Sequence, residues 1–496
     1  MPAAGPDDPG SPAAAARNGR PGTAALDALR EVLGADGLLT GAACEPYLLD
    51  HRRLYRGRAL AVALPRSVTQ VSQLLASCEA QRIGVVPHGG NTGYCGGATP
   101  DESGRQLVLS LARLNRIRSV DPSNYSLIAE AGCILAQVQQ AAAAAQRFFP
   151  LSLGSEGSCQ IGGNLSTNAG GTSVLRYGMT RDLVLGLEVV LADGRVLACL
   201  SGLRKDNTGY DIRALFLGAE GTLGVITAAS LKLFPQIASV ATAFAAVADV
   251  SAAVALLTRL REASGDRVSS FELVPRIAVE LTTRHIPGVS DPLGAPHAWY
   301  VLCELSSARS GEPLDAVLTE TLGAALNDGL VLDAALASSE RERAALWKLR
   351  ETIPEAQRRE GAGLKHDISV PVSALPEFVA RGAAWVGAHV SGARLVAYGH
   401  VGDGNLHFNL TEAPGATPGA LAGRAAEVQR VLHDLAVSLG GSFSAEHGIG
   451  RLKVAELERY APATELELMH AVKRAFDPHG IMNPGKVLRT ETPTAE

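Results

Sequence analysis

Tyr398-Gly399-His400-Val401-Gly402-Asp403-Gly404-Asn405-Leu406-His407-Phe408-Asn409 is the stretch on which the second half of this chain turns. Leu395 to Tyr398 and Leu406 to Leu410 read as strands, and Asp403-Gly404 between them is a tight-turn pair that tolerates positive φ. A two-residue turn there sets His400 opposite His407, with Cβ atoms roughly 4.5–5.5 Å apart on one face. Two imidazoles so placed can share a metal ion, and Glu446-His447 in Ala445-Glu446-His447-Gly448-Ile449-Gly450 can complete the set. Two histidines and a carboxylate with an open position suit a catalytic site for a borderline cation such as zinc. The same spacing also suits a plain hairpin with two hydrogen-bonded histidines.

Composition narrows the classes. The net charge of −5 gives nucleic-acid binding no global electrostatic support. No apolar run reaches the ~18–20 residues that span a bilayer. The 7 cysteines are scattered and none forms a C-x-x-C pair, which argues against a disulfide framework, a structural zinc knot and an iron–sulfur cluster. A reducing compartment follows: the cytoplasm, or the mitochondrial matrix in a eukaryote. Residues 1–24, rich in Pro, Ala, Gly and Asp, are expected to form a disordered tail.

The chain then opens as strand (Ala59 to Leu64), helix (Val68 to Arg82, capped by Ser67) and strand (Gly84 to Pro87). These deliver it into His88-Gly89-Gly90-Asn91-Thr92-Gly93-Tyr94-Cys95-Gly96-Gly97, whose backbone N–H groups can turn inward on an anion such as a dinucleotide pyrophosphate. Neither the Rossmann spacing nor a Walker Gly-Lys-Ser/Thr is present. A surface loop without a ligand fits the same glycines. A second small-residue segment runs from Gly154 to Asn168, and a third from Gly218 to Thr227. Beyond Phe234-Pro235 long helices alternate with strands, which predicts an antiparallel sheet covered by helices on one face.

In combination these segments resemble a known family. Gly89-Gly90-Asn91-Thr92-Gly93, Ile161-Gly162-Gly163-Asn164, Arg204 to Asp211 and Gly221-Thr222-Leu223-Gly224 are similar to the vanillyl-alcohol-oxidase type of FAD-binding fold. The His400 to His407 stretch, Glu446-His447-Gly448-x-Gly450 and Asn483-Pro484-Gly485-Lys486 resemble the FAD-linked oxidase C-terminal domain. The resemblance implies an α+β chain: a two-part FAD-binding domain over 25–236 and an α+β substrate (cap) domain with an antiparallel sheet and the metal site over 237–455. Residues 456–496 would pack back on the FAD domain. It further implies FAD bound by Pro87, Gly89, Gly90, Asn91, Thr92, Gly93, Gly154, Ser155, Ser158, Gly162, Gly163, Asn164, Thr167, Gly221, Ile226 and Asn483. Asn91 stands where some relatives carry a flavin-linking histidine, so noncovalent FAD is expected.

The implied reaction takes a D-2-hydroxy acid to the 2-oxo acid, D-2-hydroxyglutarate foremost, with D-lactate or glycolate as the alternative. A divalent metal on His400, His407 and Glu446 (zinc, or else manganese or iron) would acidify the hydroxyl. His447 is the expected base. Arg350 and Lys365 are the expected carboxylate anchors, with Thr352 and Asn409 beside them. Pro354 stands where some relatives that act on D-2-hydroxyglutarate carry a hydroxyl, and it offers no donor; Thr352 is the residue that would compensate, and a short substrate such as D-lactate gains weight. Electrons would leave to an external carrier such as an electron-transfer flavoprotein or a quinone, and a homodimer is the family expectation. The rivals are a flavin-scaffold transferase, a flavin-carrying subunit of a larger oxidase, and a metal-dependent hydrolase.

Overall fold

The computed structural model describes residues 23–415 and 419–490. The tail expected over 1–24 lies, up to residue 22, outside the described residues.

Two sheets build the first half. β1 (Leu38–Leu39), β2 (Ala59–Ala63), β3 (Val85–His88) and β4 (Gln106–Ser110) run in the order β1-β2-β4-β3, with β2 and β3 both parallel to β4. Helix Val68–Ala80 crosses between β2 and β3 and buries Val71, Leu74, Leu75 and Cys78, the apolar stripe expected of its sequence. Ser67 Oγ caps it by accepting the N–H of Gln70 (3.2 Å). β5 (Ile117–Asp121), β6 (Ser126–Glu130), β7 (Val184–Val190), β8 (Val196–Cys199) and β9 (Val225–Lys232) form an antiparallel sheet in the order β5-β6-β9-β7-β8. The glycine-rich segments are the connections at the ends of these strands.

A larger antiparallel sheet follows. It contains β10 (Ser239–Val247), β11 (Val268–Pro275), β12 (Trp299–Ser307), β13 (Val331–Leu336), β14 (Gly363–Leu364), β15 (Asp367–Ser369), β16 (Ala393–His400) and β17 (Asn405–Glu412). The order is β13-β10-β12-β11-β16-β17-β14, with β15 also paired to β17. Helices cover both faces, where the sequence predicts one. On β10, Ala241, Ala243, Ala245 and Val247 pack with helices Val250–Ser264, Leu314–Asn327, Leu375–His389 and Ala425–Ser438. Phe244 and Ala246 point the other way, to helices Arg276–His285, Glu340–Glu351 and Ile353–Glu360. A strand buried on both faces reads as an almost unbroken apolar run, which is what Ser239 to Val247 is.

The last helix, Ala463–Phe476, returns to the first half: Phe476 meets Phe216 edge-on (5.3 Å between centroids), and Ile481 and Met482 join the core around β2–β4.

Candidate active site

The first glycine loop leaves β3 and runs along a cleft of about 1000 Å³. Pro87, Gly89, Gly90, Asn91, Thr92, Gly93, Gly162, Gly163, Asn164, Thr167, Gly221 and Ile226 line it, and His447 closes one end. Gly154, Ser155 and Ser158 do not line the cleft. They form a supporting turn, and a Cβ on Gly90 would run into the Ser158 carbonyl oxygen. Asn483 stands at the rim, where its Nδ2 donates to the carbonyls of Gly97 (3.0 Å) and Glu220 (2.7 Å). Asn91 is used by the protein itself, through a 2.8 Å bond from Nδ2 to the Leu49 carbonyl.

FAD fits this cleft on two observations. Gln160 Oε1, Asn164 Oδ1, Asn483 Oδ1 and both nitrogens of His88 are buried without a hydrogen-bond partner. Such orphans are costly unless a ligand or water meets them. In addition, a Cβ on Gly93 or Gly163 would meet no protein atom within 4 Å, and neither residue has positive φ. Neither protein packing nor backbone conformation requires glycine there, which leaves close approach of a ligand. Gly163→Ala is therefore expected to leave the apoprotein as stable or more so, since alanine favours the helix. It should weaken FAD binding by about 1–3 kcal/mol, the cost of forcing a methyl group into a packed contact. Flavin absorbance per mole of purified protein checks this; full flavin content would contradict it.

The histidine hairpin differs in register from the sequence expectation. Tyr398, not His400, pairs with His407, and Ala397 pairs with Phe408. The turn is longer: Val401–Asp403 form a 3-10 turn that closes at Gly404 (φ +87°). The reason is tertiary. The tip docks under Val370, whose N–H donates to the Gly404 carbonyl (3.1 Å), and a Cβ on Gly404 would collide with the Val370 carbonyl oxygen. A slip of two residues keeps every side chain on its face. His400 and His407 thus remain neighbours, with ring centroids 5.7 Å apart.

His400 is in register with Glu272 of β11, and its Nδ1 lies 2.7 Å from Glu272 Oε1. The other carboxylate oxygen accepts from Arg350 Nε (2.8 Å), and the Arg350 guanidinium lies over the Tyr398 ring. Burial pushes the Glu272 carboxyl up, but His400 and Arg350 outweigh it and hold it at about 2. Arg350, expected as a substrate anchor, is thus already matched by an internal carboxylate. Thr352 does not join the site, since its hydroxyl donates to the Lys348 carbonyl (2.7 Å). Asn409 is held on both sides: Nδ2 donates to Gln357 (3.0 Å), and Oδ1 accepts the N–H of His366 (3.1 Å).

His407 Nε2 lies 3.6 Å from Glu446 Oε1, and His447 Nε2 lies 3.8 Å from the same oxygen. Burial drives His407 well below the usual histidine value, which keeps it neutral with a lone pair free. One donor atom each from Asp367, His407, Glu446 and His447 lies within 4.8 Å of the others. Asp367 is the residue that sequence reasoning missed. Its Oδ2 accepts the backbone N–H of Glu446 (3.0 Å) and His447 (2.9 Å), and Oδ1 accepts from Asn405 (2.9 Å). Those bonds make Asp367 the fixture of the Glu446–His447 loop. His407 and Glu446 are the two expected ligands that this cluster contains; His400, the third, is not among the four and is held instead through Nδ1 by Glu272. Nitrogen and carboxylate donors are a set that fits a divalent cation.

Glu220 joins the two halves. It accepts the N–H groups of Ile449 (2.6 Å) and Gly450 (2.8 Å), tying the cleft to the loop that carries Glu446 and His447. Burial lifts its carboxyl to about 7 against those two bonds.

Residues 59–200 match the FAD binding domain, and residues 237–487 match the C-terminal domain of FAD linked oxidases. The chain is 41% identical over 471 residues to the mitochondrial D-2-hydroxyglutarate dehydrogenase of Bos taurus, covering 94% of this chain and 83% of that one. It is 36% identical over 451 residues to the D-2-hydroxyglutarate dehydrogenase of Xanthomonas citri pv. viticola, covering 91% and 94%. A solved alkyldihydroxyacetonephosphate synthase shares the fold, with a TM-score of 0.72 over 94% of this chain and 85% of that one, at 16% identity. The chain belongs to the FAD-linked oxidases, flavoprotein oxidoreductases that act on CH–OH groups. Among the described residues no helix is long and apolar enough to cross a membrane.

Proposed function

We propose that this enzyme oxidises a D-2-hydroxy acid to the 2-oxo acid, with D-2-hydroxyglutarate the foremost substrate and D-lactate or glycolate the alternative. The observation that carries this is the placement of His447, which lines the FAD cleft and also belongs to the imidazole–carboxylate cluster. Bound FAD supplies a two-electron acceptor for the hydrogen on the hydroxyl-bearing carbon. A divalent metal held by His400, His407 and Glu446 supplies Lewis acidity toward the hydroxyl; zinc suits the donors, with manganese or iron as alternatives. His447 takes the hydroxyl proton. Its Nδ1 faces Asp367 Oδ2 at 3.4 Å, a buried carboxylate able to hold that N–H and leave the Nε2 lone pair toward substrate. Its ring is stacked on Tyr94 (4.6 Å between centroids), which limits rotation.

Two carboxylates fit this division. Glu220 and Asp367 hold one loop from two sides, so that the base and a metal ligand keep their place against the flavin cleft. Electrons pass to an external carrier, an electron-transfer flavoprotein or a quinone, since the chain has neither a nicotinamide fingerprint nor cluster cysteines. A homodimer follows from the family resemblance, and a cytoplasmic or mitochondrial-matrix location from the scattered cysteines.

Reduction of an artificial dye by the D- and L-forms of each acid tests the proposal. Turnover with a D-acid and release of the matching 2-oxo acid are expected. Turnover with the L-forms alone would overturn it.

A further inference from the structure

His51-Arg52-Arg53-Leu54-Tyr55-Arg56-Gly57-Arg58 carries four arginines, no lysine and no acid, in a chain whose net charge is −5. The structure makes this stretch a turn strapped to the first glycine loop. Asn91 Nδ2 of that loop donates to the Leu49 carbonyl (2.8 Å), and the Tyr55 ring fills the space that a Cβ on Gly96 would need. The exposed His51 meets the Tyr94 ring edge-on (5.5 Å between centroids), and Tyr94 is stacked on His447 (4.6 Å). Two ring contacts thus join the surface of this turn to the side chain at the end of the flavin cleft.

The turn is unevenly charged. Arg53, Arg56 and Arg58 are exposed, while Arg52 lines the cavity next to the cleft. Arg56 pairs with Glu45, but the Arg53 and Arg58 side chains form no ion pair with another described residue. Arg451 adds a further guanidinium, laid over the Tyr55 ring (4.7 Å) and 4.0 Å from Glu102. The neighbouring aspartates are engaged locally: Asp50 accepts the N–H groups of Arg52 and Tyr55, and Asp101 those of Ser103. Leu54 and Leu452, chain neighbours of Tyr55 and Arg451, are 51% and 38% exposed. Exposed apolar side chains among arginines are the composition of a protein-docking face, from which lysine is depleted. The planar guanidinium also matches the carboxylates of an acidic partner. A membrane surface calls instead for an amphipathic helix with a broad apolar side, and two leucines on a turn offer little to insert.

We propose that this arginine turn is the docking site of the electron carrier, and that the carrier is a redox protein with an acidic face. This rests on the dehydrogenase assignment above. One turnover removes two electrons and two protons from the hydroxy acid; the protons pass to water and the electrons, by way of the flavin, to the carrier. His447 and the reacting edge of the flavin serve one carbon, so the electrons leave from the end of the cleft that the turn covers. The positive field brings an acidic partner to that end and orients it.

The test follows oxidation of the photochemically reduced holoenzyme by two c-type cytochromes of similar potential, one acidic and one basic, and by an uncharged quinone. Light reduces the flavin without substrate, so failure of docking is read separately from failure of the dehydrogenase assignment. At low ionic strength the acidic cytochrome is expected to react at least about tenfold faster than the basic one, an advantage that added salt removes. A variant carrying Arg53→Glu and Arg58→Glu should lose that advantage and keep the wild-type rate with the quinone. Equal rates with the two cytochromes, no reaction with either, or a parallel loss with cytochrome and quinone in the variant would overturn the proposal. Two further results would also overturn it. One is binding of the wild-type protein to vesicles containing anionic lipid that the variant loses, which would make the occupant a membrane. The other is a fall in kcat/KM for the hydroxy acid in the variant with its cytochrome rates intact, which would make the turn a guide for the substrate.

Discussion

His447→Ala is expected to slow flavin reduction by about 10²–10⁴-fold, the usual contribution of a positioned general base. Flavin content should stay near the wild-type level, because His447 is one side chain in a cleft lined mainly by the glycine-rich segments. The size of the effect follows from how much of the surroundings serves to hold this ring. Asp367 accepts its backbone N–H and faces its Nδ1, Tyr94 stacks on one side, and the His407 ring lies nearly parallel at 6.0 Å. Rapid mixing under anaerobic conditions separates reduction from reoxidation. A loss of less than about tenfold would assign the proton to another group.

The second large effect falls on stability. Glu272 is fully enclosed and serves two partners from different elements, Arg350 of helix Glu340–Glu351 and His400 of β16. Glu272→Ala leaves the Arg350 guanidinium buried without its counter-charge. Breaking a buried pair on one side costs about 3–5 kcal/mol. Arg350→Met in the same chain should return most of that, since no charge then remains stranded. Chemical denaturation of the two variants measures both. The single variant should also bind metal about 10- to 100-fold more weakly, because the carboxylate that orients His400 is gone. Wild-type stability in Glu272→Ala would show that the pair contributes nothing net.

Much of this molecule is legible in its amino-acid order, and the limits have physical causes. The glycine loops announce close backbone approach, and the cleft runs along them. The strand and helix periods between 59 and 87 place β2, β3 and the helix between them within a residue or two. His400, His407 and Glu446 are identifiable because a short hairpin and a Glu-His-Gly turn are local signals. What cannot be read locally is who holds these groups. Glu272 is 128 residues from His400, and Asp367 is 80 from His447 on the loop it fixes. Both acids sit in ordinary strand sequence, and nothing but the sheet order brings them to the site. The hairpin register departs from its local signal for the same kind of reason: Asp403-Gly404 favours a two-residue turn, but docking of the tip under Val370 lengthens it. Arg350 looks like a free anchor in Trp347-Lys348-Leu349-Arg350, and its partner becomes visible only when β11 is laid beside β16.

Anaerobic bleaching of the bound flavin, followed near its visible absorbance maximum, tests the central claim most directly. Purified holoenzyme would be mixed with D-2-hydroxyglutarate, D-lactate, D-malate and their L-forms, before and after treatment with a chelator and after return of zinc or manganese. Rapid bleaching by a D-acid, lost on chelation and restored by the metal, is the predicted result. A full complement of flavin that no 2-hydroxy acid reduces would contradict the account and move the flavin-scaffold transferase and the partner-dependent oxidase subunit ahead of it.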